Sequence, residues 1–219
     1  MMDDLELMRL HVQALFTHDA RGRMVRVNEA GGGPAPRFFL GRTRHGRVWR
    51  FRADVDDALA LQLEALCRAE PAADERLAPP YGTEAYQALL ARAAPVARTW
   101  TGPAYRVPPG VAAAPDAVLV TEENRDLLRP HMQAWLGDVA SCHPMLAVLD
   151  GARAVCLCAS VRRTPHAHEA GVETAPEFRG RGCAARAVAA WAAAVQASGA
   201  LPLYSTSWEN TASQALARR

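Results

Sequence analysis

The chain has 219 residues, of which 50% are hydrophobic and 22% are charged, and its formal net charge is +2. This composition excludes an intrinsically disordered protein, and no apolar run approaches the roughly 18 residues of a membrane-spanning helix. The sequence begins with an acidic segment that does not resemble a secretory signal. We therefore expect a cytoplasmic protein with no membrane partner.

All 25 basic residues are arginine, and 23 acidic residues are interspersed among them. Nucleic acid is not an expected partner, because binding it would require arginines gathered on one surface. Five cysteines occur without a Cys-x-x-Cys spacing, which is typical of reduced thiols. Cys156 and Cys158 alternate within an apolar run, so they would face one side of a strand and pack in a core. The others are Cys67, Cys142 and Cys183.

The first half is predicted to combine helices with short antiparallel strands. Apolar residues recur at helical spacing from Leu5 to Phe16, and again over residues 55–69 and 84–94. Strand-like runs separated by glycine-containing turns predict an antiparallel meander. Its strands would be residues 24–27, 37–40 and 48–51.

A segment rich in proline, glycine and alanine lies between about residues 103 and 115 and is typical of a surface connection. We place a domain boundary there. The predicted domains are an N-terminal α/β domain at residues 1–108 and a second domain at residues 115–219.

The second half predicts alternating strands and helices. Thr121 follows a strand at residues 117–120 and precedes acidic residues, which indicates a capped helix to about Gly137. Asp150-Gly151 joins two apolar runs in the strongest hairpin signal of the chain. The remaining predicted elements are a strand at 168–174, a helix at 182–198, a strand at 201–205 and a final helix that Asn210 can cap.

An arginine- and glycine-rich turn joins the strand that ends at Thr174 to the next helix. It reads Arg179-Gly180-Arg181-Gly182-Cys183-Ala184. Amides at the start of a helix, with glycines that allow close approach, favour phosphate binding. The residues alone are equally compatible with an ordinary turn, since neither a Walker motif nor GxGxxG is present.

The pattern Arg179-x-x-Gly182-x-Ala184, after Val172-x-Thr174-x-Pro176, resembles the acyl-CoA pyrophosphate motif of the GNAT superfamily of N-acetyltransferases. The order of elements over residues 115–219 is similar to that family's order. The resemblance implies an α/β (α+β) fold with a GNAT-like mixed, splayed central sheet and flanking helices. The smaller N-terminal α/β domain would precede it.

The resemblance also implies an enzyme that transfers an acetyl group from acetyl-CoA to a primary amine by direct attack. The backbone of Val172 and Thr174 would pair with pantetheine, and an amide near Val172 would polarise the thioester carbonyl. Asn210-x-x-Ser213 resembles the family's asparagine-containing element beside the pantetheine arm. Pyrophosphate would be held by the amides of Arg179, Gly180, Arg181, Gly182, Cys183 and Ala184.

Transfer to an amine requires a base that removes one proton. Glu173 is our first candidate and Glu169 the second, and the two share a strand face if no bulge intervenes. Either carboxylate is also compatible with a solvated strand position. His166 and His168 form a His-x-His pair, but no third ligand has a recognisable spacing, so no metal is expected.

Two departures from the family pattern bear on activity. The tyrosine that often serves as general acid would fall at Ala217, which leaves Tyr204 or solvent as the proton source. The family fold also continues with two more strands after the final helix, where this sequence stops. Either the sequence is truncated, or those strands come from elsewhere, for example from the first half or from a second copy of the chain in a homodimer. The alternative function is a catalytically weak CoA-binding regulatory or interaction protein.

Residues 1–109 show no nucleophile triad, phosphate loop or metal cluster in sequence. We expect this half to help bind the acceptor. Arginines alternate with aromatic residues around Phe38 and Phe51, a pattern that could suit anionic ligands or single-stranded nucleic acid. Strands with their aromatic residues in the core and their arginines in water are the simpler interpretation.

Overall fold

A computed structural model describes residues 2–70, 82–111 and 114–219, which form two compact units. Among the helices of these residues, none is both long and apolar enough to cross a membrane. The first unit comprises Met1–Asn28, Gly32–Pro103 and Ser207–Glu209, and the second comprises Glu29–Gly31, Ala104–Thr206 and Asn210–Arg219.

The first unit begins with helix α1 (Asp4–Leu15) and a hairpin of β1 (Phe16–His18) and β2 (Met24–Val27). The Asp19 carboxylate closes the turn between these strands by accepting two backbone N–H groups, each at 2.9 Å. The predicted meander is therefore wrong in one respect. The tight turn pairs β2 with β1, and β2 forms no ladder with the strand that follows it in the described chain.

A second hairpin and two helices complete the first unit. β3 (Phe38–Thr43) pairs with β4 (Gly46–Phe51) in antiparallel register. Helices α2 (Asp57–Ala69) and α3 (Thr83–Ala93) bury Leu63 and other apolar side chains together. Both predicted helices are confirmed, and the aromatic side chains of the hairpin pack against the apolar clusters of this unit.

The second unit is built on a six-stranded mixed sheet. Its strands are β5 (Ala104–Arg106), β6 (Ala117–Leu119), β7 (Met145–Asp150), β8 (Arg153–Arg163), β9 (Ala167–Thr174) and β10 (Leu201–Ser205). They lie in the order β5-β10-β9-β8-β7-β6, with β9 and β10 parallel and the other neighbours antiparallel. Helices α4 (Cys183–Ala197) and α5 (Thr211–Ala217) pack on the sheet, and Trp191 of α4 is fully buried. This is the mixed sheet with flanking helices that the resemblance implies.

The sheet splays between its two parallel strands. The pairing of β9 with β10 ends at Glu169 and Leu203. Beyond that point β9 continues along β8 to Thr174, and β10 continues along β5 to Ser205. The two strands therefore diverge and leave a gap, as predicted.

The outer strand beside β10 comes from the proline-rich segment. Tyr105 of β5 lies directly opposite Tyr204, and the Val107 N–H donates to the Pro202 carbonyl at 3.0 Å. The interpretation of this segment as a surface connection alone is wrong, because β10 offers an edge with unpaired backbone groups that the segment satisfies. The domain boundary at residue 108 stays a prediction.

The helix predicted after Thr121 is replaced by two short 3-10 helices, Arg125–Leu128 and Gln133–Trp135. Pro130 prevents a continuous helix because it has no N–H to donate and its ring clashes with the preceding turn. Asn124, not Thr121, is at the N-cap position of the first 3-10 helix, and its side chain accepts the Thr121 N–H at 2.7 Å.

The other elements predicted for the second half are confirmed. Gly151 adopts a left-handed φ of 59° in the turn between β7 and β8. The Asn210 side chain caps α5 by accepting the Ser213 N–H at 3.0 Å. Cys156 and Cys158 are both buried in one apolar cluster under α4, which confirms their role in the core.

Candidate functional site

The gap between β9 and β10 begins at Glu169. This carboxylate is only 3% exposed, and its Oε1 accepts both the Ser205 N–H, at 2.8 Å, and the Ser205 hydroxyl. In a continuing parallel ladder, a carbonyl of β9 would accept that N–H. The Glu169 side chain therefore replaces a ladder hydrogen bond at the point where the strands separate.

The turn after β9 presents backbone amides to solvent. A 3-10 helix (Pro176–Phe178) is followed by Gly180 and Gly182, whose φ angles of 74° and 77° are left-handed. No side chain caps α4 at Gly182, and the first helical hydrogen bond runs from the Arg186 N–H to the Gly182 carbonyl at 3.3 Å. The earlier amides of α4 consequently have no acceptor inside the helix.

Open space adjoins this backbone. A Cβ atom added to Gly180 or Gly182 would meet no atom within 4 Å. An anion could therefore approach the amides closely, and the positive end of the α4 dipole would stabilise it. The geometry of the turn fits a phosphate group.

Three arginines lie in and just after this turn. Arg179 is exposed and its Nε donates to the Thr174 carbonyl at 3.4 Å. Arg181 is exposed, with its guanidinium carbon 4.9 Å from the centre of the Phe178 ring. Arg186 forms an ion pair with a carboxylate that precedes β6. The residues predicted to bind pyrophosphate thus lie together around one helix N-terminus.

Val172 and Thr174 lie on the part of β9 that borders the gap. Val172 is opposite Cys158 and Thr174 is opposite Cys156 on β8. The Thr174 hydroxyl donates to the Cys156 Sγ at 3.1 Å, and burial raises the pKa of this thiol to about 11. The edge of β9 that faces the gap has no strand partner in the described part of the chain, so its backbone groups are available to a ligand.

The two candidate bases differ in their exposure and in their hydrogen-bond partners. Glu173 is exposed near the end of β9, and its Oε2 accepts the Trp135 indole N–H at 2.5 Å. Glu169 is buried and bound to Ser205, as described above. The bulge lies in β8, between Ser160 and Arg162, so the alternation of β9 itself is not interrupted.

Side chains from β10 and α5 meet beside the gap. The Ser213 side chain lies close enough to the Tyr204 hydroxyl to lower its pKa. Burial raises the pKa of Tyr204, which is 5% exposed, so its phenol stays protonated at neutral pH and is a proton donor rather than a base. Ala217 packs against the apolar cluster under α4.

His166 and His168 do not converge on a common site. The His168 Nδ1 lies 2.8 Å from the Ser160 Oγ, which also accepts the Trp191 indole N–H at 2.9 Å, whereas His166 is exposed. Over residues 2–70, 82–111 and 114–219, no three His, Cys, Asp or Glu side chains are placed to hold a metal ion.

Comparison with known families agrees with this geometry. The family model described as GNAT acetyltransferase matches residues 146–219, from the hairpin of β7 and β8 to the end of the chain. This stretch is GNAT-like. The resemblance of the C-terminal half to the GNAT superfamily is therefore confirmed. No curated protein matches the chain.

Three solved structures are similar to the chain. A GNAT-family protein from Novosphingobium aromaticivorans is 22% identical, with a TM-score of 0.49, over 83% of this chain and 81% of the other. A GCN5-related N-acetyltransferase-like protein from Streptococcus suis is 15% identical, with a TM-score of 0.47, over 84% and 78%. An acetyltransferase of the GNAT family from Colwellia psychrerythraea is 12% identical, with a TM-score of 0.42, over 83% and 75%.

The GNAT family match and the GNAT-like sheet support acyl transfer as the chemistry of the second unit. Two contacts at this site were not foreseen from the sequence. Trp135 lies in a region that the sequence predicts to be one continuous helix, so its contact with Glu173 had no sequence signal. Ser205 had a weak signal, since it is a hydroxyl residue at the end of the strand that borders the gap.

Proposed function

We propose that this protein is an acyl-CoA-dependent N-acetyltransferase, which transfers an acetyl group from acetyl-CoA to a primary amine by direct attack. The observation that carries the proposal is that the gap between β9 and β10 lies next to the uncapped N-terminus of α4. An extended, amide-containing pantetheine arm would satisfy the free edge of β9 while the pyrophosphate binds the helix amides. The two features together fit acyl-CoA better than a simple phosphate.

Each part of acetyl-CoA, the acyl donor, has a proposed set of contacts. Pantetheine pairs with the backbone of Val172 and Thr174, and Asn210 and Ser213 lie beside it. The pyrophosphate accepts hydrogen bonds from the amides of Arg179, Gly180, Arg181, Gly182, Cys183 and Ala184.

The reaction requires one nucleophilic attack and two proton transfers. The amine nitrogen attacks the thioester carbonyl carbon, a C–N bond forms, and the C–S bond breaks with its electron pair on sulfur. A base takes one proton from the amine, and the thiolate takes one from solvent or from Tyr204. An amide near Val172 polarises the carbonyl, because a donor aimed at a developing oxyanion stabilises the transition state.

Glu173 is the proposed base. Its exposed carboxylate can meet an incoming amine, whereas the Glu169 carboxylate is buried and already accepts two hydrogen bonds from Ser205. A base must reach the proton it removes, so accessibility favours Glu173.

Calorimetric titration with acetyl-CoA and with CoA tests the binding site. Gly182→Val places a side chain in the space proposed for phosphate and should weaken binding by at least about tenfold, which corresponds to about 1.4 kcal/mol. Gly199→Val is the matched control, because Gly199 ends α4 with a similar left-handed φ of 84° and similar open space. Equal affinity for both variants would contradict the proposed pyrophosphate site.

Release of free thiol in the presence of a panel of primary amines tests turnover. An amine that is acetylated should release thiol in equal amount, and the product should gain one acetyl group by mass spectrometry. A chain that binds acetyl-CoA but releases no thiol with any amine would support a CoA-binding regulatory protein instead.

A further inference from the structure

Among the residues that the structure describes, Trp135 is the one whose side chain forms a hydrogen bond with the Glu173 carboxylate. It ends the short 3-10 helix Gln133–Trp135 and is partly buried. Its indole N–H donates to Oε2 at 2.5 Å. An indole N–H can only donate, so it binds the ionised carboxylate without competing for the proton that the carboxylate would accept.

The position of the Trp135 ring is fixed by the strand beneath it. A Cβ atom on Gly171 would lie 3.1 Å from the Cη2 atom of Trp135 and 2.3 Å from the Cγ1 atom of Val161. The ring therefore lies directly over the glycine, in space that any side chain at this position would occupy. Because Gly171 and Glu173 are two residues apart on β9, they face the same side of the sheet, and the indole spans both.

A carboxylate held in one orientation presents its oxygen to a proton from a defined direction, whereas a mobile carboxylate does not. An exposed glutamate samples several rotamers, and fixing such a side chain costs conformational entropy. The indole meets this cost before a substrate binds. The carboxylate oxygen that is not bound by the indole is then held in a defined direction.

We propose that Trp135 is a positioning residue for proton transfer, which holds the Glu173 carboxylate in the orientation that accepts a proton from the acceptor amine. This inference rests on the proposed function, since it assigns Trp135 a role through the proposed base. Trp135 itself takes no part in bond making or breaking.

A double-mutant cycle of Trp135→Phe and Glu173→Gln tests the proposal. Phenylalanine keeps an aromatic ring over Gly171 but removes the N–H, so kcat should fall by about tenfold in the native background while the Kd of acetyl-CoA stays the same. In the Glu173→Gln background the same change should alter kcat by less than about twofold, because the residue acts through Glu173. Trp100→Phe is the control, since Trp100 is 51% exposed and lies in the first unit.

An equal loss of kcat in both backgrounds would overturn the proposal and indicate a general structural role. An unchanged kcat in Trp135→Phe would overturn it as well. A second measurement does not depend on turnover or on the folding of Trp135→Phe. The indole N–H resonance of Trp135 should shift upfield in Glu173→Gln, and an unchanged resonance would show that the contact is not formed in solution.

The results distinguish a failure of the proposed acetyltransferase function from a failure of the proposed role of Trp135. If the native chain transfers no acetyl group, the proposed function falls, and the positioning role falls with it even where the resonance shifts. If the native chain is active and the cycle is additive, only the role of Trp135 is lost.

Discussion

Glu169 and Ser205 meet where β9 and β10 separate, and one carboxylate oxygen accepts both the backbone N–H and the hydroxyl of the serine. Parallel strands that stop pairing leave donors with no acceptor, and a buried unsatisfied donor is costly. The Glu169 side chain, from within β9, supplies the missing acceptor. The opening of the sheet is therefore compatible with a stable core.

Glu169→Ala should lower the free energy of unfolding by about 1–3 kcal/mol, because the Ser205 N–H loses its buried acceptor. Ser205→Ala should cost less, about 0.5–1.5 kcal/mol, since the backbone N–H keeps its partner. Urea unfolding followed by circular dichroism measures both. If Glu169→Ala is no less stable than the native chain, the contact does not form in solution.

Glu173→Gln should reduce kcat by about a hundredfold or more, because glutamine has nearly the same shape but cannot accept the amine proton at neutral pH. The Kd of acetyl-CoA should not change. Steady-state kinetics and calorimetry give the two quantities. The exposed Glu123→Gln serves as the control, and a larger loss of rate in Glu169→Gln than in Glu173→Gln would reverse the proposed roles.

His168 should make the stability of the second unit sensitive to acid. Burial lowers the pKa of His168, and the nearby charges of Arg163 and His143 lower it further. The unfolded chain therefore binds a proton at a higher pH than the folded chain, so stability is lost as the pH falls through the unfolded value of about 6.5. His168→Asn keeps an acceptor near Ser160 and should reduce the slope of unfolding free energy between pH 7 and 5.5. His166→Asn, at an exposed position on the same segment, is the matched control.

Glu70 should stabilise the first unit through a half-buried ion pair. Burial raises the pKa of Glu70, but hydrogen bonds from Arg42, at 2.6 Å, and from the Tyr86 hydroxyl, at 2.7 Å, outweigh it and lower the pKa. Glu70→Gln should cost about 1–3 kcal/mol at pH 7. The difference from the native chain should shrink as the pH falls below the unfolded value of about 4.5, because the native carboxylate is then protonated as well.

The matched control for Glu70 is Glu64→Gln. Glu64 pairs with Arg68 on the surface of α2, with the Arg68 side chain 70% exposed, and such pairs contribute about 0–1 kcal/mol. Similar losses in the two variants would contradict a special role for the Glu70 pair. Urea unfolding at several pH values provides the comparison.

The turn between β9 and α4 could be predicted because its determinants are local. Gly182 needs a left-handed φ, the following helix is rich in alanine, and the strand before it is apolar. The final helix was equally clear from Asn210, whose cap bond spans three residues. The residues that determine each of these features lie within a few positions of each other, so the sequence alone is enough to predict them.

Other features depend on contacts between distant parts of the chain. The short strand β5 has a partner that lies far along the sequence, and its proline-rich surroundings are typical of a connection. The contact of Trp135 with Glu173 could not be predicted, because the cap signal at Thr121 indicates one helix to about Gly137, which Pro130 interrupts. Glu169 could be named as a candidate, but its burial depends on how β10 approaches β9, which no local pattern records.

Strand β5 also has a kinetic consequence. The pairing of Tyr105 with Tyr204 closes a loop that contains nearly the whole second unit, and the entropy cost of closure rises with loop length. Such a contact raises the contact order of the unit and slows its folding. During synthesis, β5 leaves the ribosome long before β10 exists, so this edge of the sheet can close only after β10 has been made.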